Sequence, residues 1–141
     1  MELIFLYTLD DIHQAAAQVI AYAGGTKIWL FDGEMGAGKT TLIKAICQAL
    51  RAEGDFSSPT YALAHEYFIS HSTAKIFHLD LYRLRSIDEA MDIGIEDYLF
   101  DGSYCLIEWP GLIMPLLKKG EYLTIKIKSI SENEREITIF I

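Results

Sequence analysis

KIWLFDGEMGAGKTTLIKAICQAL (27–50) is the stretch that decides the fold. Its first six residues (27–32), an apolar, β-prone IWLF between Lys27 and Asp32, read as a strand. Gly33 to Thr40 then fits G-x-x-x-x-G-K-[ST] at every fixed position. From Lys39 to Ala52 helical spacing takes over, with Leu42, Ile46, Ala49 and Leu50 on one face. The chemistry explains the spacing. Successive amide N–H groups must turn inward around a phosphate, and glycines permit this because they reach positive φ and lack a Cβ. The following helix points its unpaired N–H groups at the same anion. A chance match in a glycine-containing loop would lack the strand before and the helix after. The expected nucleotide contacts are therefore Glu34, Met35, Gly36, Ala37, Gly38, Lys39, Thr40 and Thr41. Lys39 would reach the β- and γ-phosphates of a nucleoside triphosphate, and the Thr40 hydroxyl would face Mg2+.

Outward from this loop the chain keeps alternating. Residues 2–7 read as a strand, and Thr8 with Asp11 offers an acidic capping box for a helix that Gly24-Gly25 stops. Downstream, 57–60 is loop chemistry, 61–69 a strand, 71–74 a turn and 75–80 a strand. Ser86 with Glu89 opens a helix that Gly94 interrupts or ends, and 104–109 is a further strand closed by Pro110-Gly111. The tail alternates with period two on either side of Ser131–Glu134, which predicts an antiparallel hairpin. The expected fold is α/β and resembles P-loop NTPases: a mixed, mostly parallel central sheet flanked by helices, with a C-terminal antiparallel hairpin.

A phosphate loop needs a strand that delivers a carboxylate to Mg2+ or its waters. Two strands here end in an acid, Asp80 after KIFHL and Glu108 after YCLI. Ligands in such sheets bind at the carboxyl ends of the strands, so both acids are expected in one pocket. One would serve the metal and the other the attacking water, in an order the sequence leaves open. Arg83 and Arg85 could add positive charge or simply be solvated, and Trp109 could stack on a base or fill the core. The four histidines show no metal-ligand spacing and receive no chemistry.

Composition narrows the function classes. Twelve Lys and Arg against 20 Asp and Glu give a formal charge of −8 over 141 residues. Affinity for nucleic-acid phosphates comes mainly from Lys and Arg, so this balance opposes binding RNA unaided, and it equally opposes docking on an anionic membrane. The length suits one domain spanning 1–141, as domains commonly run about 100–150 residues. Cys47 and Cys105 sit in apolar runs and read as buried thiols. No apolar run approaches a membrane span and no secretory pattern opens the chain, so a cytoplasmic location is expected.

Among phosphate-loop functions, a guanine switch built on Asn-Lys-x-Asp is absent, because the one asparagine, Asn133, precedes Glu134. A small nucleoside or metabolite kinase would clamp phosphate with several arginines, and this chain has four and no lid-like insertion. A non-catalytic nucleotide sensor is the third class. GEMGAGKTT (33–41), SSPTY (57–61), HLDLYRL (78–84), GIEDYL (94–99) and IEWP (107–110) together resemble, in order and spacing, the bacterial TsaE (YjeE) family. These are P-loop ATPases required for threonylcarbamoyladenosine (t6A) modification of tRNA. The resemblance implies ATP and Mg2+ as cofactors and the TsaD–TsaB heterodimer as partner, with tRNA met only through that complex and no membrane involved. Carried over, Lys39 and Thr40 hold phosphate and metal, and Asp80 and Glu108 serve metal and hydrolysis. Thr60 becomes a switch-loop contact to metal or γ-phosphate, and Trp109 lies near the nucleotide or the partner.

Overall fold

The computed structural model describes residues 2–53 and 63–141. The strands are β1 (Glu2–Thr8), β2 (Ile28–Asp32), β3 (Ala52–Glu53), β4 (Ala64–Ile69), β5 (Lys75–Asp80), β6 (Tyr104–Glu108), β7 (Tyr122–Ser129) and β8 (Glu134–Phe140). The α-helices are α1 (Ile12–Ala23), α2 (Lys39–Ala49), α3 (Ile87–Asp92) and α4 (Ile95–Leu99), with short 3-10 segments at Leu9–Asp11 and Pro110–Leu116. The eight strands form one sheet in the order β1-β8-β7-β2-β6-β5-β4-β3.

The central strands β7, β2, β6 and β5 are mutually parallel, as the alternation of strands and helices predicts. Both flanks are antiparallel, so four of the seven pairings among the described residues run that way. The parallel part is therefore narrower than "mostly parallel" implies. The hydrophobic pattern does not encode strand direction; connection length does. The short turn between β4 and β5 and the tail hairpin cannot cross over, whereas parallel neighbours need a connection of a dozen or more residues.

Strand alternation divides the core. Trp29, Phe31, Ile76, Leu106 and Ile125 face α1 and α2, packing with Val19, Leu42 and Ile46. Ile28, Leu30, Phe77, Leu79 and Ile107 face the other way, onto Ile95, Leu99 and Ile113. Each buried aliphatic side chain contributes about 1.5–3 kcal/mol, so the two layers fix the strand register firmly. The same parity puts His78, Asp80 and Glu108 on the α2 face, because they continue the rows of Ile76 and Leu106.

Local signals fare unevenly. Ser86 caps α3 by accepting from the Glu89 amide at 3.2 Å, and Gly94 at φ 82° separates α3 from α4. Helix α2 stops at Ala49, three residues short of expectation, as Arg51 turns to φ 62° and leads into β3. Thr8 does not cap α1: its hydroxyl donates to Asp11 Oδ2 instead, and a 3-10 turn intervenes. The 57–60 loop, the start of the 61–69 strand and Thr60 lie outside the described residues. Among the described residues no helix is long and apolar enough to cross a membrane.

Candidate functional site

The loop from Gly33 to Gly38 joins the carboxyl end of β2 to the start of α2, in the middle of the parallel strands. Gly36 and Gly38 adopt φ 81° and 106°, a region that L side chains avoid, and the Ala37 amide closes a turn onto the Glu34 carbonyl at 3.0 Å. Gly33 has a different reason to be glycine. A Cβ there would stand 2.7 Å from the Ile127 carbonyl oxygen of β7, closer than any real contact. The first amides of α2 have no partner within the helix and are available to an anion. Glu34, Met35 and Thr41 are exposed around this turn.

Lys39 is buried, its ammonium donating to the Gly33 carbonyl at 2.6 Å and lying 3.5 Å from the centre of the Trp109 ring. Burial lowers its pKa, and the negative charges of Glu108, Asp32 and Asp80 oppose that shift. Trp109 follows β6 at φ 57° and contacts Tyr82, with ring centres 5.0 Å apart. It is thus neither core filler nor free, but a face on which the lysine rests. Leu81, Tyr82, Trp109 and Met114 line a cleft of about 680 Å³ that opens beside Asp32 and Gly33.

The two strand-end acids meet as expected from their positions, since Asp80 pairs with Glu108 in the β5–β6 register. Their environments differ. Glu108 is buried and receives the Thr40 hydroxyl, which lies 2.9 Å from Oε1 and 3.1 Å from Oε2. Its Oε2 is also 2.7 Å from His78 Nε2. Burial pushes the Glu108 pKa up, but hydrogen bonds from His78 and Thr40, with the charges of His78 and Lys39, outweigh it and hold the carboxyl below its ordinary range. As the ionised carboxylate only accepts, Nε2 carries the proton. Asp80 is exposed, and its Oδ1 accepts the Tyr82 amide at 3.1 Å. Arg83 and Arg85 are exposed in the segment after β5.

Two residues of this arrangement escape a reading of the sequence. His78 has no metal-ligand spacing in the sequence, yet it is buried against Glu108, and its ring stacks on His65, its register partner across β4–β5, at 5.7 Å. The available signal was parity: His78 stands two residues before Asp80 and so faces the same side of the sheet. Arg135, near the start of β8, donates through Nε to the Ala37 carbonyl at 2.9 Å. No local pattern announces that contact, which spans 98 positions.

The donors suit a magnesium nucleotide. A threonine hydroxyl and two carboxylates are hard oxygen ligands, and Mg2+ is commonly held by one or two carboxylates together with phosphates and waters. Among the described residues there is no group of three or more His, Cys, Asp or Glu that could hold a metal ion.

The family model described as "Threonylcarbamoyl adenosine biosynthesis protein TsaE" matches residues 6–137. The chain is 36% identical over 129 residues to the tRNA threonylcarbamoyladenosine biosynthesis protein TsaE of Bacillus subtilis, covering 92% of this chain and 78% of that one. It is 46% identical over 92 residues to the protein of the same name from Haemophilus influenzae, covering 65% and 57%. The crystal structure of Bacillus subtilis YdiB superposes with a TM-score of 0.71 at 26% identity, covering 99% of this chain and 84% of that one. Motif, fold and these matches converge, and the chain belongs to the TsaE family.

Proposed function

We propose that this chain binds ATP with Mg2+ at the phosphate loop and hydrolyses it as the nucleotide-cycling member of the t6A tRNA modification machinery, acting with the TsaD–TsaB heterodimer. Family membership supports the pathway, and the names of the relatives specify t6A biosynthesis. The observation that carries the chemistry is the convergence of Lys39, Thr40, Glu108 and Asp80 at one end of the parallel strands.

In this reading the loop amides and Lys39 orient the phosphates, the ammonium leaving the Gly33 carbonyl and the Trp109 face to do so. Glu108, fixed by His78, shares the Thr40 hydroxyl and so stands on the metal side. Asp80 has one oxygen engaged by the Tyr82 amide and the other open to solvent, which suits it to receive a proton from water. Bound Mg2+ would neutralise phosphate charge beside Thr40. The formal charge of −8 fits a role in which partners contribute the RNA-binding surface, with the site working in the cytoplasm.

The test is phosphate release from ATP by wild type and Lys39→Ala, each with and without the TsaD–TsaB pair. Slow turnover by wild type alone, acceleration by the pair and loss in Lys39→Ala are expected. Undiminished turnover in Lys39→Ala would sink the site assignment. Label arriving on an added nucleoside instead of as free phosphate would indicate a kinase.

A further inference from the structure

We infer that Arg135 is a positioning residue for the phosphate loop, fixing from behind the direction of the Gly38 amide that meets phosphate; this rests on the nucleotide-binding reading above. Arg135 lies in the C-terminal hairpin, and its guanidinium bridges two pieces of backbone. Nη1 donates to the carbonyls of Ser131 at 2.7 Å, Glu134 at 3.1 Å and Glu132 at 3.3 Å, all in the hairpin turn. Nε donates to the Ala37 carbonyl at 2.9 Å. The fork geometry of a guanidinium makes this two-sided grip possible, and no other cationic side chain reproduces it.

The consequence follows from peptide planarity. There are no cis peptide bonds among the described residues, so the Ala37 carbonyl and the Gly38 N–H share a plane and point in opposite directions. With the carbonyl held toward Arg135, the Gly38 amide must point away from the hairpin. In the nucleotide-binding reading, that direction away from the guanidinium is the one from which phosphate approaches the Gly38 amide. A carbonyl that accepts from a cation also polarises its own peptide and makes the attached N–H a stronger donor. Gly38 lies directly beside the guanidinium, its Cβ position 3.7 Å from Arg135 Nε, an ordinary contact distance. The loop is therefore braced by a residue of β8 whose guanidinium is engaged with backbone carbonyls on both sides.

The experiment compares full-length wild type with Arg135→Ala and Arg135→Lys. It reads ATP affinity by calorimetry, the Gly38 amide resonance by 15N NMR without nucleotide, and thermal unfolding as a check on the fold. Arg135→Ala should bind ATP about tenfold more weakly, the value of one charge-assisted hydrogen bond, and should shift the Gly38 amide proton. Arg135→Lys keeps the charge but not the fork and should recover only part of both. A folded Arg135→Ala with wild-type affinity, or with an unmoved Gly38 resonance, overturns the inference. If Arg135→Ala fails to fold, a weaker-binding Arg135→Lys with an unmoved resonance does the same. Wild type that binds no ATP contradicts the nucleotide reading instead, and the Gly38 resonance then still tests the brace.

Discussion

Replacing His78 with alanine removes the partner of a buried carboxylate, and the size of the loss can be worked from the contacts. Glu108 and His78 are 3% and 7% exposed, with 2.7 Å between Oε2 and Nε2. A hydrogen bond to a charged group is worth about 1.5–3 kcal/mol, and leaving a buried ion without its partner costs about 3–5 kcal/mol. Two features pull the figure to the lower part of that span. Thr40 still donates to the carboxylate, and a hollow of about 480 Å³ lined in part by Thr40, His65 and His78 can admit water to the gap. The expected cost is about 2–3 kcal/mol, or roughly 6–12 °C in Tm for a chain of this size. The assay is urea unfolding of wild type, His78→Ala, Glu108→Gln and the double variant. The cycle should return a coupling of about 1.5 kcal/mol or more, because removing the charge as well relieves the stranded carboxylate. Additive costs, or a His78→Ala protein as stable as wild type, would refute the view that this pair is one energetic unit.

Three other outcomes are open to simple measurement. Asp80→Ala and Glu108→Ala should each retain ATP binding by calorimetry while losing most phosphate release; unchanged release in both would remove the acids from catalysis. The thiols of Cys47 and Cys105 are pushed up to about 12 by burial, so the native protein should resist thiol reagents at pH 8 and react fully once denatured. Because their folded pKa values lie above the unfolded ones, stability should fall as pH rises from about 9 toward 12, by about 1.4 kcal/mol per pH unit for each thiol. A flat stability profile over that window would contradict the burial of either group.

What could be read from the sequence is what depends on neighbours along the chain. The phosphate loop, the acids ending β5 and β6, the Ser86 cap and the tail hairpin are all short-range patterns, and the structure has each of them. Contacts across strands were harder. Placing His78 against Glu108 requires knowing that β5 and β6 are parallel neighbours, and periodicity within each strand carries no such information. The joining of β1 to β8, which ties the N-terminal strand to the hairpin, is likewise a matter of register between distant segments. The brace from Arg135 is the extreme case, since an isolated arginine in an alternating strand reads as solvated. The sequence around Trp109 leaves base and core open, because its neighbours along the chain do not include Lys39, the residue that covers it.

The close approach of Ile127 to Gly33 changes how losses of activity in this loop are to be interpreted. The three loop glycines look alike in the sequence, yet Gly36 and Gly38 answer to backbone conformation, whereas Gly33 answers to the adjoining strand. Inactivity after substitution at Gly33 thus reports first on whether the sheet still closes at β7. The same inactivity at Gly36 reports on the anion cradle. A mutational survey that pools them would credit phosphate recognition with a constraint that belongs to strand packing.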